Sequence, residues 1–195
     1  MNFITYFPLL ILFYFSLKLL LRFIDENIIS LKEQIKLRDV ENGFLSIKDI
    51  QKNNYDRFIK AINLYLSSHN YENIIFEENN TPELTNLTGI LNSENIYISC
   101  IQNDLIDKSV NLDNNLILTS KEDIQMFLGR MLKNNCKKGL LITNTAFTES
   151  AKDFVNLNNK NTDNEIKLID GYELTKSIRI YKNYMINKEG KNEAR

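Results

Sequence analysis

No charged side chain occurs before Lys18, and residues 3–23 read FITYFPLLILFYFSLKLLLRF. As a helix rising 1.5 Å per residue, such a run is about as long as a hydrocarbon core is thick, roughly 30 Å. Lys18 and Arg22 lie one helical turn apart near its C-terminal end, where long basic stems reach the headgroups. Pro8 falls in the first turns, where a missing N–H does least harm. A cleaved signal peptide would begin with basic residues and end in a small-residue cleavage site, and this segment has neither. A buried core helix is the alternative, disfavoured because Lys18 interrupts the apolar run. The expectation is an uncleaved single-span anchor over residues 1–23. Both cations lie on its C-terminal side, so the positive-inside rule places the N-terminus outside the cell membrane and everything after the anchor in the cytoplasm. The cysteines are then expected to be reduced.

Beyond Phe23 the chain keeps 22 of its 24 basic groups, Lys18 and Arg22 having been left behind, and all 25 acidic ones, a net of -3. That balance gives no general affinity for nucleic acid, so DNA binding would need cations gathered on one face. Lys133, Lys137 and Lys138 are the best such group, and Lys182, Lys188, Lys191 and Arg195 the next. Two cysteines rule out a disulfide scaffold and have no zinc spacing, and the single His69, with no acid–nucleophile spacing, gives a catalytic triad nothing to rest on. No glycine-rich phosphate loop exists. The excess of Asn, Ile and Lys reads as the codon bias of an AT-rich genome.

Residues 24–43 form a juxtamembrane segment. Ile24, Ile28, Leu31 and Ile35 make a short helical stripe, and Glu41, Asn42 and Gly43 stop it. The stripe suits a stalk helix, or self-association through a short coiled coil. A domain follows over 44–185 and a polar tail over 186–195. Ser46 or Asp49 is expected to cap a helix that buries Tyr55, Phe58, Ile59, Ile62 and Leu66 and runs to about Ser68. Strands are expected at 73–77, 86–91 and 95–101, the last two joined by a turn at Asn92, Ser93 and Glu94. After a polar connection at 102–115, residues 116–118 are a short strand or extended segment. Ser120 and Asp123 suggest a capping box for a helix burying Ile124, Phe127, Leu128, Met131 and Leu132. The unbroken apolar run at 139–143 has the character of a strand covered on both faces. A helix at about 148–157, a strand at 166–169 and a helix at about 172–184 complete the order α-β-β-β-α-β-α-β-α. Alternating elements in the second half imply parallel neighbours and the hairpin an antiparallel part, so a mixed β-sheet flanked by helices is expected.

Two blocks carry a likeness to a known family. Gly139, Leu140, Leu141, Ile142 and Thr143, followed by Phe147, Thr148 and Ala151, resemble a strand–loop–helix segment of Mrr-type (type IV) restriction endonuclease domains, of the PD-(D/E)xK superfamily. Leu168, Ile169, Asp170 and Gly171, with Leu174, resemble that family's closing block. The αβββαβ order agrees, and the likeness covers roughly residues 50–180. It implies a restriction-endonuclease-like α/β fold in which these residues are scaffold. Independently of any family, Gly139 suggests close backbone approach, Thr143 and Thr148 offer hydroxyls to a helix start, and Asp170 is a natural cap.

The resemblance also implies where chemistry would sit. Members hold Mg²⁺ with an Asp on one strand and a Glu or Gln on the next, and a Lys two residues later assists the attacking water. Such a centre suits phosphodiester hydrolysis, which needs a hard cation on oxygen ligands. Carried over, these positions fall on Thr88, Ser99 and Ile101, none of which supplies a carboxylate or an ammonium. No Lys occurs between Lys60 and Lys108 in any register. A migrated site would have to draw on Glu77, Glu78 and Glu83, or on Asp104, Asp107 and Lys108. Cys100 reads as a core residue, Cys136 as a loop residue, and His69 as a helix-terminal one. The expectation is a catalytically inactive, membrane-anchored Mrr-like domain used for interaction, with no cofactor. Its candidate partners are the membrane, DNA, and a protein or second copy through the juxtamembrane helix. The alternatives are an active Mg²⁺-dependent endonuclease with a rearranged site, and a tethered scaffold with no DNA role.

Overall fold

The computed structural model describes residues 14–25, 28, 31, 50, 55–103 and 117–193. The chain divides into two compact units, Met1–Asp39 and Val40–Arg195. In the first, residues 14–25 are helical and expose their apolar side chains, Phe15, Leu19 and Phe23 among them. No helix among the described residues is long and apolar enough to cross a membrane, and residues 1–13 of the expected anchor lie outside them. Of the juxtamembrane stripe, Ile24, Ile28 and Leu31 are helical and exposed, whereas Ile35, the stop signal and the expected caps Ser46 and Asp49 lie outside the described residues.

The second unit contains α1 (Tyr55–Ser68), β1 (Glu72–Phe76), β2 (Leu84–Leu91), β3 (Glu94–Ile101), α2 (Lys121–Lys133), β4 (Lys138–Thr143), α3 (Glu149–Asn161), β5 (Glu165–Ile169) and α4 (Gly171–Glu193). Their order is the one expected. The five strands lie side by side in sequence order, with β1, β2 and β3 antiparallel and β3, β4 and β5 parallel. Each parallel step needs a crossover, supplied by α2 and α3, which pack on each other; α1 packs on α4. Two cores result. Phe58, Ile62, Tyr65 and Leu66 of α1 meet Leu87, Ile98, Leu140 and Ile142, together with Leu174 and Ile178 of α4. Ile124, Phe127 and Met131 of α2 meet Tyr97, Leu141, Phe147, Val155 and Ile166. β4 lies between both cores and is buried from Gly139 to Thr143, hence its unbroken apolar sequence. Each large side chain so buried stabilises the fold by about 1.5–3 kcal/mol.

Asparagine makes most of the sharp turns. Asn92 and Ser93, both left-handed at φ 51° and 68°, form the two-residue turn whose twist suits a β2–β3 hairpin. Asn70 and Asn135 take φ 58° and 55° just after α1 and α2. The amide of Tyr71 then reaches back to the carbonyl of Leu66 (3.1 Å), and that of Cys136 to Met131 (3.1 Å). These are the six-to-one bonds of a Schellman ending, which tucks in the following side chain. Tyr71 and Cys136 are accordingly buried; Cys136 lies in the loop before β4, as expected, with its side chain tucked in.

Several expectations need correction. β1 is an edge strand with Ile75 and Phe76 exposed. Of the two readings for 116–118 the strand is not formed at 117–118, and Thr119 makes one parallel bridge to Phe147. Leu132 faces solvent because the stripe of α2 follows Ile124, Phe127 and Met131. α3 runs on to Asn161, and α4 continues through the expected polar tail to Glu193. Thr143 does not serve a helix start. Its hydroxyl is buried in a polar knot beyond the ends of β3 and β4, where Thr119 donates to it (2.9 Å) and Asn103 donates to Thr119 (3.1 Å) and Thr145 (2.9 Å). Asn103 and Asn144 also exchange backbone and amide bonds of 2.8 and 2.9 Å.

Candidate functional site

A cation shared by two strands needs ligands that face each other across the ladder. Direct cross-strand neighbours on one face bring Cβ atoms to about 4.5–5.5 Å, whereas diagonal ones stand about 7–8 Å apart. In the β2–β3 pair Ser99 lies opposite Asn86, Ile101 opposite Leu84, and Thr88 opposite Tyr97. The residue directly opposite Ser99 is therefore Asn86, and Thr88 stands two residues further along β2. The two-residue turn at Asn92 and Ser93 sets this register; counting Glu94 as part of the turn shifts it.

Asn86 is held from several sides. Its amide N–H donates to Asn80 Oδ1 (2.7 Å), and its carbonyl accepts from Asn80 Nδ2 (3.1 Å) and from the amide of Glu77 (3.0 Å). Across the ladder Ser99 Oγ donates to Asn86 Oδ1. Both residues are buried, at 6% and 1% exposure. Hydroxyl and carboxamide thus satisfy each other where two carboxylates would repel unless bridged by a cation. Above them lies a cavity of about 110 Å³ lined by Leu84, Ser99, Ile101 and Leu141 from the sheet and Asp123, Phe127 and Arg130 from α2. Its one carboxylate is committed to the capping box, since Asp123 Oδ2 accepts from the Ser120 amide (2.8 Å) and hydroxyl (3.0 Å). Asn86, Ser99 and Ile101 do not fit Mg²⁺, which prefers carboxylate oxygens.

The migrated alternatives fare no better. Glu78 and Glu83 are exposed, and among the described residues no three Asp, Glu, His or Cys side chains converge to hold a metal. Asp104, Asp107 and Lys108 lie outside the described residues. Nor do the lysines form an open basic patch. Lys138 Nζ is 2.6 Å from Glu94 and 3.9 Å from Glu165, and Lys137 is 4.0 Å from Asp163. They line a groove of about 370 Å³ in which three carboxylates outnumber two ammoniums. The hydrogen bond to Glu94 chiefly holds the Lys138 pKa above its ordinary value. Lys133 is exposed in the last turn of α2.

The scaffold residues have mechanical roles. A Cβ on Gly139 would come within 2.6 Å of Met131 Sδ and 2.7 Å of the Phe127 ring. Thr148 caps α3 through the Ala151 amide (3.3 Å), with Ala151 buried, and Asp170 caps α4 through the Glu173 amide (2.8 Å). Phe147 packs in the α2–α3 core. His69 stacks on Tyr65 at 4.1 Å, and its Nδ1 lies 2.9 Å from the Tyr65 carbonyl, a helix-terminal role. Burial pushes both thiols up, so neither Cys100 nor Cys136 is poised as a nucleophile.

Tyr97, beside Ser99 on the same face, has no outward sign in the sequence of its unusual position. It is fully buried, and its hydroxyl finds no hydrogen-bond partner among the described residues. Burial first, and then the nearby Glu77 carboxylate, raise its pKa to about 12. Burial raises Tyr65 and Tyr71 to about 12 as well. A phenol whose folded pKa lies above its unfolded one contributes stability in full below pH 10, lost as pH rises through 12. Tyr97→Phe is therefore expected to leave the melting temperature at neutral pH equal or higher and to soften the decline above pH 10. Melting curves at neutral and alkaline pH check both.

No curated protein matches the chain. The family model Mrr_cat, described as restriction endonuclease, matches residues 50–178, a span that includes all five strands, the Asn86–Ser99 rung and both scaffold blocks. Across that span the sheet order and the two helical layers agree with a restriction-endonuclease-like fold, and the chain belongs to the Mrr_cat restriction endonuclease family.

Proposed function

We propose that this is a membrane-anchored, cytoplasmic Mrr-like domain that has given up phosphodiester hydrolysis and is used for interaction. One observation carries the loss of catalysis. The cross-strand rung that would hold a divalent cation is a closed Ser99–Asn86 hydrogen bond, with Ile101 in place of an ammonium. Metal-assisted hydrolysis requires a cation to lower the pKa of water and to offset charge on the phosphate, and neutral ligands hold it poorly. Anchoring rests on the apolar run at 3–23 with its two basic stop residues.

The test is a plasmid nicking assay with the full chain in Mg²⁺ or Mn²⁺. The expected result is no cleavage above background in either metal. Cleavage that needs the metal and disappears in Glu77→Ala or Glu83→Ala would sink this reading and favour a rearranged site. DNA binding without cleavage is measured separately, through the dependence of affinity on salt.

A further inference from the structure

We infer that the outward face of α4 is a docking surface for an anionic bilayer, an inference that rests on the proposed N-terminal anchor. α4 has 23 residues, yet among those whose side chains are described, up to Ile186, the fully buried ones are Leu174, Thr175 and Ile178 in the first two turns. On the opposite side Tyr172, Lys176, Ile180 and Tyr184 recur every fourth residue, which aligns them on one face. Tyr172, Ile180 and Tyr184 are 56%, 60% and 62% exposed, and Lys176 Nζ sits 5.9 Å from the Tyr172 ring centroid. Two tyrosines and a branched aliphatic beside the Lys176 ammonium, with Glu173 the one carboxylate among the described residues of this face, suit a helix lying at a membrane–water interface, apolar bodies in the acyl boundary and charges among headgroups.

Charge is distributed in the same sense. Residues 171–195 carry six basic groups (Lys176, Arg179, Lys182, Lys188, Lys191, Arg195) against Glu173, Glu189 and Glu193, a net of +3. Residues 40–170 carry 13 basic and 18 acidic groups, a net of -5. An anionic surface attracts the helix and repels the body, so it selects one orientation. Duplex DNA would also attract the cations, but it gives no reward for burying Ile180 and the tyrosine rings. Tethering makes docking intramolecular, so a weak surface affinity suffices to keep the face occupied.

The full chain carrying Tyr184→Cys, labelled with an environment-sensitive fluorophore, is reconstituted into nanodiscs of phosphatidylcholine alone or mixed with phosphatidylglycerol. A blue shift and quenching by a lipid-borne quencher, specific to the anionic discs and reversed by salt, are expected. A label that stays water-exposed in the anionic discs overturns the inference. Failure of the chain to enter discs at all would count against the anchor, and a second arm then reads α4 alone. Val40–Arg195, whose two cores are built from its own residues, is sedimented with phosphatidylglycerol vesicles. Lys176→Gln, Arg179→Gln and Lys191→Gln together are expected to weaken that binding by about a hundredfold. Binding that survives neutralisation, or binding of duplex DNA in place of vesicles, overturns the inference.

Discussion

Writing carboxylates back into the β2–β3 rung, as Asn86→Asp with Ser99→Glu, is expected to destabilise the fold in chelator by about 3–5 kcal/mol, the scale of an uncompensated buried charge. For a domain of this size that is a fall in melting temperature of roughly 10–15 °C. The physical reason is the closeness of the pair. Asn86 and Ser99 are direct cross-strand partners, nearly sealed from water, so two anions there repel without solvent to separate them. Mn²⁺ is expected to return much of the loss, because the same pair then acts as a ligand set, and to leave the unaltered chain unchanged. Differential scanning fluorimetry across a metal titration reads both effects. Equal stabilisation of the unaltered chain by Mn²⁺ would mean that Asn86, Ser99 and Ile101 are not where a cation is refused. Adding Ile101→Lys to the pair places an ammonium two residues along the same face, where it offsets part of the charge.

The second large effect concerns Gly171. A Cβ there would lie 2.5 Å from the Asn144 carbonyl oxygen and 3.0 Å from its carbon. Both are backbone atoms, fixed by the paired amides of Asn103 and Asn144 and by the bond from the Gly171 amide to the Thr145 carbonyl (2.9 Å). Gly171→Ala must shift the start of α4 or undo the knot, and a loss of about 3 kcal/mol or more is expected. Gly139→Ala meets only the Met131 thioether and the Phe127 ring, which have more freedom to move, so about 1–3 kcal/mol is expected. Gly129, mid-helix with nothing within 4 Å of its Cβ, is the control: alanine there should stabilise by up to about 1 kcal/mol. Urea denaturation of the three variants ranks them. Equal effects at Gly171 and Gly129 would show that the close approach to Asn144 costs nothing.

Much of this arrangement was legible because local and global signals agree. The two capping signals at Ser120 and Thr148, the unbroken run through β4 and the Asp170–Gly171 corner each have one cheap local conformation, and the fold uses it. The site was only half legible. The sequence does not show that Ser99 faces Asn86, because strand register depends on how many residues the turn consumes. A slip of one or two positions is invisible in a sequence whose neighbours are all small, polar or apolar. Tyr97 and the Asn103–Asn144–Thr143 knot were illegible for another reason: their character comes from contacts between residues up to 42 positions apart. The exposure of Ile75 and Phe76 was not legible, because an apolar strand gives no sign of whether it lies at an edge.

The asparagine turns bear on the unfolded chain as well. At φ 58°, 51° and 55°, Asn70, Asn92 and Asn135 stand where glycine is usual. Glycine would relax the local backbone there, yet it would also give the denatured ensemble more conformations to lose on folding. These opposing terms are each about 0.4–1 kcal/mol per site. An asparagine excess first attributed to base composition therefore also serves as a restraint on disorder, distributed over three corners of the fold.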